Sequence, residues 1–219
     1  MAITDSVEVE LKALEAMNAG HMEIGLYMAR ADGGTMYPID TFALAVLHRS
    51  MSLIRGFCDS VRSENYLCAA PLVRLQLDNL LRMYALFIAH DPHEVAFRAF
   101  AGVPIRKQKD RAGNKMIDQY LVKKLSVDLP WVGRVYEETS GFIHLSEKHI
   151  FSTHGSIDRN KREVRICVSG RDFSIPDAAR MEAAKCMSAI TFQVLRYVYG
   201  WAHTKDVVGA SKLGKVTGD

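Results

Sequence analysis

The sequence predicts a mainly α protein, a bundle of long helices with one small β-hairpin at about residues 149–168, before the last helix. Three observations carry this. Long stretches repeat apolar residues at helical spacing behind helix-start chemistry. One of them, LCAAPLVRLQLDNLLRMYALFIAH, is apolar around most of its circumference, as a helix in the middle of a bundle must be. And the period changes once, in HIFSTHGSIDRNKREVRICVSG, where two β-favouring runs flank a polar DRNK turn.

Taken in order, Asp5 and Ser6 cap a first helix running to about Gly20. ADGGTMYP, residues 31–38, is loop chemistry. A long helix starts near Ile39, with Asp40 in its first turn, and continues to about Glu64. After a break at Asn65 the central helix fills 67–89, with Pro71 near its beginning, where proline is tolerated. DPHEVAFRAFA is a short helix with Asp91 at the N-cap and Pro92 at the first position. The polar, basic segment PIRKQKDRAGNK reads as exposed and mobile. Helices are expected at 115–125 and at 131–144, and Pro176 and Asp177 open the last one. Residues 1–205 form a single helical-bundle domain, and 206–219, rich in Gly, Lys and Ser, a flexible tail.

Composition narrows the function classes. Of the 219 residues, 48% are hydrophobic and 24% charged, enough to build one ordinary core. The formal charge of +3 is too small to announce nucleic-acid or membrane binding by itself. Arg74, Asp78 and Arg82 interrupt the most apolar stretch and argue against a membrane span. The cysteines Cys58, Cys68, Cys167 and Cys186 show no CxxC spacing and read as buried free thiols of a cytoplasmic protein. The acidic, amphipathic N-terminus is no signal peptide.

The chemistry-bearing residues fall in polar stripes. Arg74, Asp78 and Arg82 lie at i, i+4 and i+8 on the central helix. Tyr136, Ser140 and His144 repeat that spacing if 131–144 is helical, and His48, Ser52 and Asp59, with Arg55 and Arg62 nearby, follow a similar drift. Three such helices could meet in one interior pocket; a purely structural polar network is the competing reading. AAPLVRLQLDNLLRMYALFI and YEETSGFIHLS resemble two motifs of a group of uncharacterised bacterial helical proteins, loosely near the abortive-infection and HEPN-type families. The first motif carries Asp78 where that group usually has glutamate. The resemblance implies an α-helical fold with Arg74, Asp78, Tyr136, Ser140 and His144 near one another and supplies no activity; the polar stripes make these five the candidate ligand-binding set, and phage defence enters only with the ribonuclease alternative.

Sharper chemistries find less support. His144, His149 and His154 are five apart, a rotation of about 140° on a helix, so they share no face, and no metal site is expected. His149 and His154 are assigned to the hairpin. Arg196-YVYGWA-His203 fits the loosest form of the HEPN ribonuclease signature. His203 would be the general base and Arg196 the phosphate stabiliser, across a homodimer. Roughly two such pairs arise by chance in a chain of this composition. There is no G-x-S-x-G elbow and no phosphate-cradling glycine loop, hence no cofactor signature. Basic residues crowd 106–124 and 159–165 and admit weak, salt-dependent binding of RNA or another polyanion. Aromatic side chains that could stack bases are nearly absent from 102–119. The leading expectation is a binding or interaction module, not an enzyme, with a polar interhelical pocket in which Arg74 anchors a small anionic or polar ligand. A metal-independent HEPN-type ribonuclease is the alternative.

Overall fold

The computed structural model describes residues 3–144, 146–158, 163–172 and 175–216. The chain is mainly helical. Helix α1 (Asp5–Ala16) meets α2 (Asn18–Arg30) at a break on Met17, and a 3-10 turn at Asp32–Gly34 leads to α3 (Pro38–Arg62). Helix α4 (Tyr66–Ile88) is followed by α5 (Pro92–Phe100), a 3-10 turn at Ile105–Lys107, α6 (Asp118–Leu125), α7 (Trp131–Ser140) and α8 (Glu147–Ser152). Two short strands, β1 (His154–Asp158) and β2 (Glu163–Ile166), pair antiparallel before α9 (Asp177–Val216). Residues 159–162, where the polar turn was expected, lie outside those described.

Helix α4 is the centre of the bundle, packed by α3, α9, α7, α6 and α5. Its all-round apolar surface dictates that position, because exposing either face would leave a large apolar area in water. Ala69, Val73, Leu77, Leu80 and Leu81 are fully or almost fully buried. Asn65 caps its N-terminus by accepting from the Cys68 N–H, and the Asp172 carboxylate also accepts from the Tyr66 N–H. Helix α9, 40 residues long and therefore about 60 Å from end to end, backs onto α4, α1 and α2. A fork from Arg62 to Glu8 and Glu15 ties α3 to α1, each carboxylate receiving two hydrogen bonds of 2.6–3.0 Å.

Several boundaries differ from the sequence reading. The first helical stretch extends to Arg30, broken at Met17, where one continuous helix to about Gly20 was expected. Helix α7 ends at Ser140, so His144 lies past the helix, on an exposed bend. His149 belongs to α8, where Ser146 N–H donates to its Nδ1, and only His154 lies in a strand. Residues 206–216, expected to be a tail, continue α9. There Tyr27 donates to Asp206 at 3.2 Å, and Gly209 lies so close to the Asp32 carboxylate that a Cβ would collide with it. Of the four thiols expected to be buried, only Cys58 is; Cys68 is exposed, and Cys167 and Cys186 are partly covered.

The basic segment after α5 is pinned by specific hydrogen bonds. Gln108, 3% exposed, donates to the carbonyls of Val95 and Val103. Asp110 accepts from the N–H groups of Ala112 and Asn114 and from the Tyr120 hydroxyl. Gly113, at φ 83°, makes the reversal that brings Lys109 and Lys115 together in an isolated antiparallel bridge. Arg111 covers the carbonyls of Phe87 and Ile88 at the C-terminus of α4, where a cation complements the helix dipole.

Candidate functional site

The α4 stripe forms an ion lattice. Arg49 of α3 donates to Asp78 at 2.9 Å and to the Asn79 side chain at 2.7 Å. Arg82 bridges Asp78 at 2.7 Å and Asp118, in the first turn of α6, at 2.5 Å. Arg74 takes the other Asp118 oxygen at 2.9 Å, and its guanidinium lies 4.4 Å from the centre of the Tyr136 ring on α7. Burial opposes the Arg82 charge, but Asp78 and Asp118 more than offset it and hold its pKa above the ordinary value. Burial likewise opposes the Asp118 charge, and Arg82 and Arg74 outweigh it, so that carboxyl sits below the usual range.

Of the sequence-predicted set, Arg74, Asp78 and Tyr136 thus belong to one lattice, while Ser140 and His144 do not join it. The Ser140 hydroxyl bonds back to the Tyr136 carbonyl at 2.6 Å, within its own helix. His144 is exposed. Each lattice charge has an opposite charge against it, which suits a brace between α3, α4, α6 and α7 better than a waiting ligand pocket. The expected α3 stripe of His48, Ser52 and Asp59 faces solvent. The neighbouring Arg49 and Ser50 do the inward work, and neither was singled out from sequence. Asp118 was also missed; its one legible signal is its place in the first turn of a helix.

From Asn79 the polar contacts run into the core. The Asn79 amide donates to Gln76, which donates to Ser50 at 2.6 Å and to Thr191 at 2.9 Å. Ser50 lies 2.8 Å from His21 Nε2, and His21 Nδ1 lies 2.9 Å from the Met17 carbonyl. A carbonyl only accepts, so Nδ1 carries the proton and Nε2 accepts from Ser50. Burial lowers the His21 pKa, in keeping with a neutral ring.

A cleft of 710 Å³ opens between α4 and α9, lined also by Pro92 of α5 and by Asp128 and Leu129 of the turn before α7. Met83, Leu86 and Phe87 supply apolar lining from α4, and α9 supplies Gln193, Arg196, Tyr197, Trp201 and Thr204. Arg196 is exposed and donates to the neutral Gln193 side chain at 3.0 Å. Burial pushes the Tyr197 hydroxyl up to about 12. The Trp201 indole is fixed from behind, its N–H donating to Asp40 at 2.6 Å. Asp40 is fully buried and accepts from Lys205 at 2.9 Å and from the Tyr37 N–H at 2.7 Å. Lys205 also donates to the Met28 carbonyl. His93, Tyr37 and Trp201 form a three-ring cluster, His93 5.3 Å from each of the other two centroids and those two 6.2 Å apart.

Arg196 therefore lines the cleft, whereas His203 is exposed and stacked on Tyr199 at 6.0 Å. A smaller cavity of 490 Å³ between α7 and α9 is lined by Trp131, Val135, Met181 and Cys186 among others. Arg74, Asp78 and Tyr136 line neither cavity. Among the described residues, no group of three His, Cys, Asp or Glu side chains is placed to hold a metal ion, and no helix is long and apolar enough to cross a membrane. No protein-family model matches the chain, and neither a curated protein nor a solved structure matches it, so the likeness to abortive-infection and HEPN-type families rests on its two motifs alone.

Proposed function

We propose that this helical bundle binds a small amphiphilic acid in the α4–α9 cleft, with Arg196 as the anchor of the acidic group. One observation carries the reading: an apolar cleft of 710 Å³ with an arginine in its wall, whose one hydrogen-bond acceptor among the described side chains is a neutral amide. Such a volume suits a drug-sized ligand, and a few polar groups on an apolar lining are the usual composition of a ligand site. Met83, Leu86 and the braced Trp201 would meet the apolar body of the ligand. Asp128, also in the lining, would accept from a donor on the same molecule, which favours acids that also carry an ammonium or amide group. In this reading the Arg74–Asp78–Asp118 lattice serves the site indirectly, by fixing α4, one of its walls.

Thermal melting in the presence of aromatic and branched carboxylates, each with and without an α-ammonium group, tests the proposal. A true ligand at a hundredfold excess over its dissociation constant stabilises the native state by about 2.7 kcal/mol. Arg196→Gln should weaken binding about tenfold, the low end for a charge-assisted contact at an exposed position. No shift with any acid, or an equal shift in Arg196→Gln, would sink the reading.

A further inference from the structure

The loop between α5 and α6 presents cations in an arrangement its own fold does not favour. Lys109 and Lys115 are partners in an antiparallel bridge, which sets like charges side by side, a pairing that costs stability unless an anion lies between them. Both are exposed, as are Arg98, Arg106, Lys107 and Lys124 around them. Among the described residues none of these six cations enters an ion pair. Two nearby acids are already engaged. Asp110 accepts two hydrogen bonds from the loop's own backbone and one from Tyr120 of α6, and Asp118 is held by Arg74 and Arg82. Asp91 caps the start of α5, and among the described residues Glu94, one turn before Arg98, forms no ion pair with it.

The fold also adds what the loop sequence lacks. The Gln108 side chain bonds the carbonyls of Val95 and Val103 and lays the loop along α5. Phe97 and Phe100 on that helix are 61% and 50% exposed, on either side of Arg98 in sequence. At the other edge, the Lys124 ammonium lies 5.8 Å from the centre of the Tyr120 ring, whose hydroxyl is bound to Asp110. Helix α5, the loop and α6 therefore present exposed cations and exposed aromatic rings on neighbouring stretches of chain that hydrogen bonds tie together.

We propose that this surface binds single-stranded nucleic acid, with Lys107, Lys109 and Lys115 on the phosphates and Phe97 and Phe100 stacking on bases. Cations that track a backbone, together with aromatic platforms, are what single strands require. A lipid surface is the poorer fit. Helix α5 has only 9 residues, and its inward side chains Val95 and Ala96 are committed to the core, so no continuous apolar stripe is left to insert. The surface is separate from the α4–α9 cleft and stands or falls independently of it.

The test is fluorescence polarisation of a labelled twelve-nucleotide oligouridylate titrated with the full chain between 25 and 200 mM KCl. With about five phosphate contacts, the slope of log K against log salt is about −3.5, and affinity drops about a hundredfold between 50 and 200 mM. Lys107→Gln/Lys109→Gln/Lys115→Gln, all solvent-facing, should keep the melting temperature and flatten the slope by about 2. Phe97→Ser/Phe100→Ser should leave the slope unchanged and weaken binding about tenfold or more. Arg196→Gln should change neither. The proposal is overturned by absence of binding at 25 mM KCl, by an unchanged slope in the lysine variant, or by tighter binding to duplex DNA or to phosphatidylserine vesicles than to the oligonucleotide.

Discussion

Two of the charge clusters that brace this bundle, the lattice around α4 and the Asp40–Lys205 pair, are built on opposite principles. The lattice around α4 is partly exposed and shared: Asp118 is held by Arg74 and Arg82, and Asp78 by Arg49 and Arg82. The Asp40–Lys205 pair is sealed, with side chains 0% and 1% exposed. It is completed by the Trp201 and Tyr37 N–H groups and the Met28 carbonyl. The lattice is redundant at its carboxylates: the loss of any one arginine leaves both aspartates paired and within reach of water. The sealed pair has no spare partner. Removing either charge leaves the other buried against an apolar surround, where the desolvation cost is not returned.

That contrast orders the expected effects. Lys205→Met should be the most damaging, costing about 3–5 kcal/mol, read as the midpoint shift in urea unfolding. Partial recovery on a second change, Asp40→Asn, which removes the stranded charge but keeps an acceptor for the Trp201 and Tyr37 N–H groups, would show that the charge was the cause. A cost near 1 kcal/mol or less for Lys205→Met would break the comparison by making the sealed pair as tolerant as the lattice.

Next comes Asp118→Asn, expected to cost about 1.5–3 kcal/mol because it weakens two charge-assisted bonds together. Arg74→Ala should cost less, since Arg82 still holds Asp118; equal losses would contradict the redundancy. The Asp118 pKa is depressed in the folded state. Its contribution is thus fully present above the unfolded value of about 3.9 and is lost as pH falls through the folded value. In Asp118→Asn the acid limb of the stability curve should be shallower.

The smallest effect lies where the polar contacts of the lattice end, in the core. The folded His21 pKa is lowered, chiefly by burial, so the unfolded chain takes up that proton first as pH drops below about 6.5. Stability should therefore rise with pH through this range, by at most about 1.4 kcal/mol per pH unit. The His21→Gln protein, whatever its absolute stability, should show a smaller slope between pH 7 and 5; an identical slope would mean that another group titrates there.

Much of the architecture was legible because local patterns determine it. The apolar circumference of 67–89 required a central helix, and the break at Asn65 and the N-cap at Asp91 placed α4 and α5 to within a residue or two. The α4 stripe was visible as a periodicity, since residues four apart share a helix face whatever packs against it. The reading failed where the deciding partner is remote. His144 looked like a continuation of the Tyr136–Ser140 spacing, but periodicity alone does not say where a helix stops. Segment 206–216 looked like a tail because Gly, Lys and Ser carry little intrinsic order; Asp32 and Tyr27 from another part of the chain pack against it.

The sequence by itself determined the helical class, the central place of α4 and the stripe of alternating charge. Each of these follows from side chains within a few turns of one another. Only the tertiary structure decided that the stripe closes on Asp118 and Arg49 as a brace, and that Asp40 finds Lys205, 165 residues away. It alone also decided that an arginine singled out for a ribonuclease signature lines an apolar cleft. The physical reason is the same in each case. A charge must find an opposite charge or water, and which of these it meets is set by how helices pack, a property that no local window of sequence contains.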